Sequence, residues 1–142
     1  MTGDEPMEAI TRLDAVEKVY QAGEVRVHAL RGVTLEIERG AFLSFAGPSG
    51  SGKTTLLNLL GALDTPTSGR VEISGVNTEE LGQKTMADFR NTRVGFVFQT
   101  FNLIPVLTAG ENIAFPLQLL GVRHEAERRE RVDAMLEAVG LA

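Results

Sequence analysis

Two kinds of apolar spacing share the first hundred residues. Val25, Val27 and Ala29 alternate with Glu24, Arg26 and His28, and Val33, Leu35 and Ile37 alternate with Thr34, Glu36 and Glu38. A side chain that is apolar at every second position fits antiparallel strands with one wet face. Residues 70–73 (RVEI) return to that alternation and are expected to rejoin the same layer. Residues 10–20 also read as a strand, although Leu13, Val16 and Val19 are only loosely periodic. Residues 42–46 (FLSFA) and 94–98 (VGFVF) differ from all of these. They are nearly continuous apolar runs, the pattern of strands covered on both faces in a parallel core. Two strand types imply an antiparallel layer and a separate parallel core.

Turn residues at 21–24 and 64–69 punctuate these segments, and residues 55–60 (TLLNLL) are apolar enough to predict a buried helix. Residues 78–90 are weakly helical, with Leu81, Met86 and Phe89 facing inward. Further on, Thr108 and Glu111 have capping-box spacing ahead of Ile113, Leu117 and Leu120, and Pro116 is expected to bend or split that helix. Val132, Met135, Leu136 and Val139 recur at helical spacing, with Gly140 as the stop. Glu125–Arg129 and Glu127–Arg131 are spaced for ion pairs along a solvated helix face. Residues 1–9 read as a short, polar, disordered tail, and residues 10–142 as part of one domain.

The chemistry sits between the first continuous apolar run and the helix after it. Gly47, Pro48, Ser49, Gly50, Ser51, Gly52, Lys53 and Thr54 match G-x-x-x-x-G-K-[ST]. Glycines let the backbone fold into a loop whose N–H groups point inward at phosphate oxygens, and the following helix turns its positive end to the same anion. Lys53 brings a mobile charge for the terminal phosphates, and the Thr54 hydroxyl suits Mg²⁺. The bland alternative is a Ser/Gly-rich surface turn. The flanking strand and helix patterns favour a nucleoside triphosphate.

Composition narrows the partners. A net charge of −5 argues against nucleic acid. The absence of cysteine removes disulfides and thiolate metal sites. No run approaches the length of a membrane span, and the first residues lack a signal-peptide layout, so a soluble chain without direct membrane insertion is expected.

The two long blocks GPSGSGKTTLLNLLGALDTPTSGRV and RVGFVFQTFNLIPVLTAGENIAFPL resemble the ATP-binding subunit of an ABC transporter. Within that family they are similar to the lipoprotein-releasing and macrolide-export branch and to the related cell-division transporter ATPase. The resemblance implies an α/β fold: a P-loop NTPase core, an antiparallel β layer and the start of a helical subdomain. It implies ATP and Mg²⁺ as cofactors, with Tyr20 stacking on adenine rather than packing as a core strand residue. Ser49, Gly50, Ser51, Gly52, Lys53, Thr54 and Thr55 would wrap the phosphates. Gln99 would touch Mg²⁺ and the attacking water, the alternative being a glutamine that caps a strand. His28 and His124 are read as surface residues. The implied partners are a transmembrane permease and a second copy of the ATPase, at the inner face of the cell membrane.

Three family elements are missing from the sequence: a strand ending in an Asp-Glu pair, an LSGGQ-type signature and a later histidine. Residues 73–77 (ISGVN) only echo the signature. The chain is therefore expected to be the N-terminal half of a nucleotide-binding domain, to leave residues 42–46 as an unpaired apolar edge, and to be inactive alone. A GTPase or small-molecule kinase is the competing enzyme class, weakened by the lack of an N-K-x-D motif, and a non-catalytic fragment is the other alternative.

Overall fold

Four antiparallel strands lie in the order β2-β1-β3-β4. They are β1 Ala9–Ala22, β2 Val25–Glu38, β3 Ser68–Ile73 and β4 Val76–Asn77. The computed structural model describes residues 8–141, so of the predicted tail only Glu8 and Ala9 fall within it, and Ala9 already belongs to β1. The chain divides into two units, the first ending at Phe96 and the second beginning at Val97.

The loose periodicity of β1 has a physical cause. Leu13 pairs with Leu35 and Val16 with Val33, so three steps along β1 match two along β2. The same offset appears toward β3, where Asp14 pairs with Arg70 and Glu17 with Ser68. One extra residue forms a β-bulge, and Ala15 absorbs it with φ 46°. The bulge brings Leu13 and Val16 to one face, where both are buried. Gly69, at φ +84°, makes room for it: a Cβ there would meet the Ala15 carbonyl, and the Asp14 carbonyl at 2.6 Å.

β2 is one strand where two were expected. Its register shifts near Gly32 (φ +71°) and again between the partners of Lys18 and Val19. These irregularities bury Leu30 and leave Val25 and Val27 exposed, against the simple alternation of the sequence. β3 and β4 meet at a two-residue turn, Ser74 (φ 51°) and Gly75 (φ 76°). Positive φ at both positions is the type I′ hairpin geometry, which explains the Ser-Gly pair without any signature motif.

Helix α1 (Lys53–Leu60), a 3₁₀ turn (Thr78–Glu80) and helix α2 (Gln83–Arg93) complete the first unit. Leu59, Ala62 and Met86 join Leu13, Val16, Leu30, Val71 and Ile73 in one core, with Leu81 and Phe89 packed against it. Burying a side chain such as Leu59, which is wholly inaccessible, stabilises the fold by about 1.5–3 kcal/mol. Leu57, on the same helix, is exposed, so α1 is buried on one side only.

The two continuous apolar runs do not form strands. Residues 42–46 and 94–98 lie outside any described strand, and Phe42 is 97% exposed. A parallel strand needs hydrogen-bonded neighbours in a sheet, and the described four-stranded sheet is built from β1 to β4 and includes neither run. Phe96 packs against Gly61, where a Cβ would come within 2.8 Å of its ring.

In the second unit, helix α3 (Ala109–Leu119) carries the predicted capping box. Thr108 Oγ1 accepts from the Glu111 N–H at 3.2 Å, and Glu111 Oε2 accepts from the Thr108 N–H at 2.8 Å. The helix runs through Pro116 unsplit, forgoing one bond to the Asn112 carbonyl and resuming with Leu120 N–H on the Pro116 carbonyl at 3.0 Å. Helix α4 (Glu125–Ala138) buries Val132 while Met135 and Val139 stay exposed, so its inward stripe is narrower than the spacing predicts. The Glu127–Arg131 pair forms at 2.6 Å, whereas Arg129 turns to Asp133 at 3.8 Å instead of Glu125.

Candidate functional site

The loop between residue 46 and α1 takes its shape from glycine. Gly50 and Gly52 have φ +80° and +88°, conformations that cost other residues backbone strain. Gly52 also lies against β2, since a Cβ there would sit 2.6 Å from the Ala29 carbonyl and 3.0 Å from Leu30 Cδ2. The absence of a side chain at 52 thus lets the loop close onto the sheet.

Gly52 is the N-cap of α1, with no side-chain cap and no acidic residue in the first turn. The first N–H groups of the helix therefore lack an internal partner and, with the helix dipole, favour an anion. Lys53 folds back over the loop. Its Nζ donates to the Gly47 carbonyl at 2.9 Å, the Pro48 carbonyl at 2.7 Å and Ser51 Oγ at 3.1 Å. All three acceptors are neutral, so the ammonium charge is not cancelled by a carboxylate.

A cavity of about 530 Å³ opens in front of the loop, within the usual range for ligand sites. Tyr20 of β1 and Val27, His28 and Ala29 of β2 form one wall, and Ser49, Gly50, Ser51, Gly52, Lys53, Thr54 and Thr55 the other. Gly47 lines an adjoining cavity beside residues 44–46. The register places Tyr20 opposite Val27 and brings His28 in one residue later. The sequence reading left His28 at the surface without a role. It is exposed, yet it shares the wall with Tyr20, and only hairpin register could have placed it there.

Tyr20 is held by its hydroxyl, which donates to Asp64 Oδ2 at 2.9 Å. Lys18 Nζ donates to Asp64 Oδ1 at 2.6 Å and lies over the Tyr20 ring, 5.0 Å from its centroid. Partial burial pushes the Asp64 carboxyl up. Hydrogen bonds from Lys18, Tyr20 and the Thr65 N–H, with the Lys18 charge, outweigh it and hold the group below its ordinary value of 3.8.

The Thr54 hydroxyl lines the cavity without a protein hydrogen bond among the described residues, which leaves its lone pairs available to a hard cation. No cluster of three His, Asp or Glu suited to a metal occurs among the described residues. A cation there would depend on Thr54, phosphate and water. Gln99 belongs to the second unit, where it is exposed just after the second apolar run.

The family model for ABC transporters matches residues 30–142. The chain belongs to the ABC transporter family. It is 47% identical over 135 residues to an uncharacterized ABC transporter ATP-binding protein of Thermotoga maritima, covering 95% of this chain and 57% of that one. It is 42% identical to a lipoprotein-releasing system ATP-binding protein of Rhodopseudomonas palustris, covering 96% and 61%. Among solved structures it is similar to the ATP-binding cassette of Methanocaldococcus jannaschii, in a dimeric post-hydrolysis state bound to ADP and Pi. That likeness has a TM-score of 0.79 at 45% identity, over 89% of this chain and 56% of the other. The chain thus spans about half the length of the curated relatives it matches. The α/β P-loop fold class of an ABC cassette holds for it, and the GTPase and kinase readings are set aside. No helix among the described residues is long and apolar enough to cross a membrane.

Proposed function

We propose that this chain binds Mg²⁺-ATP as part of the ATPase subunit of an ABC transporter, and that the subunit powers export or lipoprotein release through a membrane permease. The observation that carries this reading is the single cavity shared by an aromatic residue and a phosphate-binding loop. In it, Tyr20 offers a ring face to adenine, and the loop N–H groups with Lys53 face the phosphates. Thr54 would hold Mg²⁺, whose chemistry at the site would be to screen and polarise the phosphate oxygens. For Gln99 the reading is the one its family position implies, a glutamine that touches Mg²⁺ and the attacking water. In the assembled transporter the subunit works with a second copy of itself and sits on the inner face of the membrane without entering it.

A stacked ring has no donor–acceptor pattern to read, so ATP and GTP are expected to bind comparably, and Tyr20→Ala to cost about 1–3 kcal/mol. The deciding experiment is an ATP titration of the chain and of its Lys53→Ala variant, both checked for folding by circular dichroism. Loss of affinity in the variant supports the assignment. Equal affinities would remove the loop from the site.

A further inference from the structure

Asp64 connects the two halves of the proposed nucleotide site. The N–H groups of Leu63 and Asp64 both donate to the Asn58 carbonyl of α1, at 2.8 and 3.3 Å. The Asp64 backbone is therefore fixed to the same helix that starts at Lys53. Both oxygens of its carboxylate are engaged: Oδ2 accepts from the Tyr20 hydroxyl at 2.9 Å, and Oδ1 from Lys18 Nζ at 2.6 Å and the Thr65 N–H at 2.8 Å. Neighbouring bonds stitch this segment to β1, with Lys18 Nζ on the Thr65 carbonyl at 2.6 Å, the Thr67 N–H on the Glu17 carbonyl at 2.8 Å and the Val19 N–H on Thr67 Oγ1 at 3.0 Å.

Tyr20 is the part of this assembly that most needs a restraint. It lies near the end of β1, two residues before the turn to β2, and is 36% exposed. Lys18, with a side chain only 12% exposed, lies over the ring of Tyr20, and Tyr20 lines the cavity. The ammonium meets the ring, and the carboxylate fixes its hydroxyl edge. These two contacts, one on the ring and one on its hydroxyl, restrain the side chain.

We propose that Asp64 is the positioning residue of the base-stacking platform. It ties the end of α1 to the hydroxyl of Tyr20, so the helix that receives the phosphates also sets the ring that receives the base. This role rests on the reading of Tyr20 as the stacking residue. It predicts an effect on the base half of the ligand alone.

ATP and inorganic tripolyphosphate, which has the phosphates without the base, separate the two halves. Affinities for both are measured on the chain and on its Asp64→Ala, Tyr20→Phe and doubly substituted forms. The chain has one tyrosine and no tryptophan, so its intrinsic emission reports Tyr20 alone. Asp64→Ala is expected to weaken ATP about tenfold, Tyr20→Phe by a similar factor, and the pair no more than either, because each breaks the same charge-assisted bond. Tripolyphosphate affinity is expected to stay within about twofold throughout, and Tyr20 emission to rise in Asp64→Ala as the carboxylate acceptor is lost. If Asp64→Ala and Tyr20→Phe leave ATP affinity unchanged while Tyr20→Ala lowers it, the positioning role is overturned and stacking stands. If Tyr20→Ala changes nothing, the stacking reading falls and takes the role with it. Equal losses for ATP and tripolyphosphate would make Asp64 a determinant of the whole loop and overturn the proposal. Should Asp64→Ala fail to fold, Tyr20→Phe, which removes one exposed oxygen, decides alone.

Discussion

Gly50 and Gly52 provide a matched pair for testing how the phosphate loop meets the sheet. Both have left-handed backbones, φ +80° and +88°, but a Cβ at 50 meets nothing within 4 Å, whereas one at 52 meets the Ala29 carbonyl at 2.6 Å. Alanine at either position incurs the left-handed strain, about 1 kcal/mol. At 52 it also forces a backbone oxygen away. That oxygen cannot retreat freely, because the neighbours of Ala29 are registered against β1, Leu30 with Lys18 and His28 with Val19. Overpacking against such a wall costs about 1–3 kcal/mol more. Gly50→Ala is therefore expected to lose about 1 kcal/mol and Gly52→Ala about 2–4 kcal/mol. Urea unfolding without nucleotide measures both, and the two midpoints should differ by about 1 M. Coincident midpoints would show that the loop does not press on β2, and the cavity wall described above would be wrong.

Three further outcomes are expected. Thr108→Ala removes the hydroxyl half of the capping box, leaving the residue-108 N–H to Glu111, and should speed hydrogen exchange at the first amides of α3 about fivefold, with unchanged exchange counting against the cap. Asp64 has a carboxyl held below its ordinary 3.8, so its stabilising contribution is complete above that value and is lost as pH falls through the depressed one. Acid titration of the unfolding midpoint should accordingly be shallower below pH 4 in Asp64→Asn than in the parent, and identical slopes would contradict the network around Lys18 and Tyr20. The chain alone is expected to release no phosphate from Mg²⁺-ATP above its Lys53→Ala background. In the complete subunit with its permease, Gln99→Ala should slow release while ATP binding persists, and Lys53-dependent turnover by the chain alone would reveal a catalytic carboxylate among these residues.

The phosphate loop was legible because its chemistry is local: eight consecutive residues specify the turn, the cation and the helix start. The antiparallel layer was legible where alternation was regular, as at 33–37 and 70–73. It failed where one residue was added to a strand. Leu13 and Val16 share a face only because of the bulge at Ala15, and Leu30 replaces Val25 and Val27 in the core only after the irregularities of β2. The runs at 42–46 and 94–98 state a requirement for neighbours on both sides, yet the described sheet is built from other segments. His28 and Asp64 escaped notice for another reason. Neither place can be read from neighbouring residues: His28 gains its own by hairpin register, and Asp64 by a bond from the loop after α1 to Tyr20 on β1.

The bulge at Ala15 and the bare Cα of Gly69 also constrain how this sequence can change. A side chain at 69 collides with the carbonyls of Asp14 and Ala15 for as long as the extra residue is present. Deleting that residue would clear the space, but a one-residue slip turns every later side chain of the strand to the opposite face and would expel either Leu13 or Val16 from the core. The two positions are therefore epistatic. A side chain at 69 becomes possible only once the bulge is gone, and the bulge can go only if the polarity of the first strand is rewritten with it.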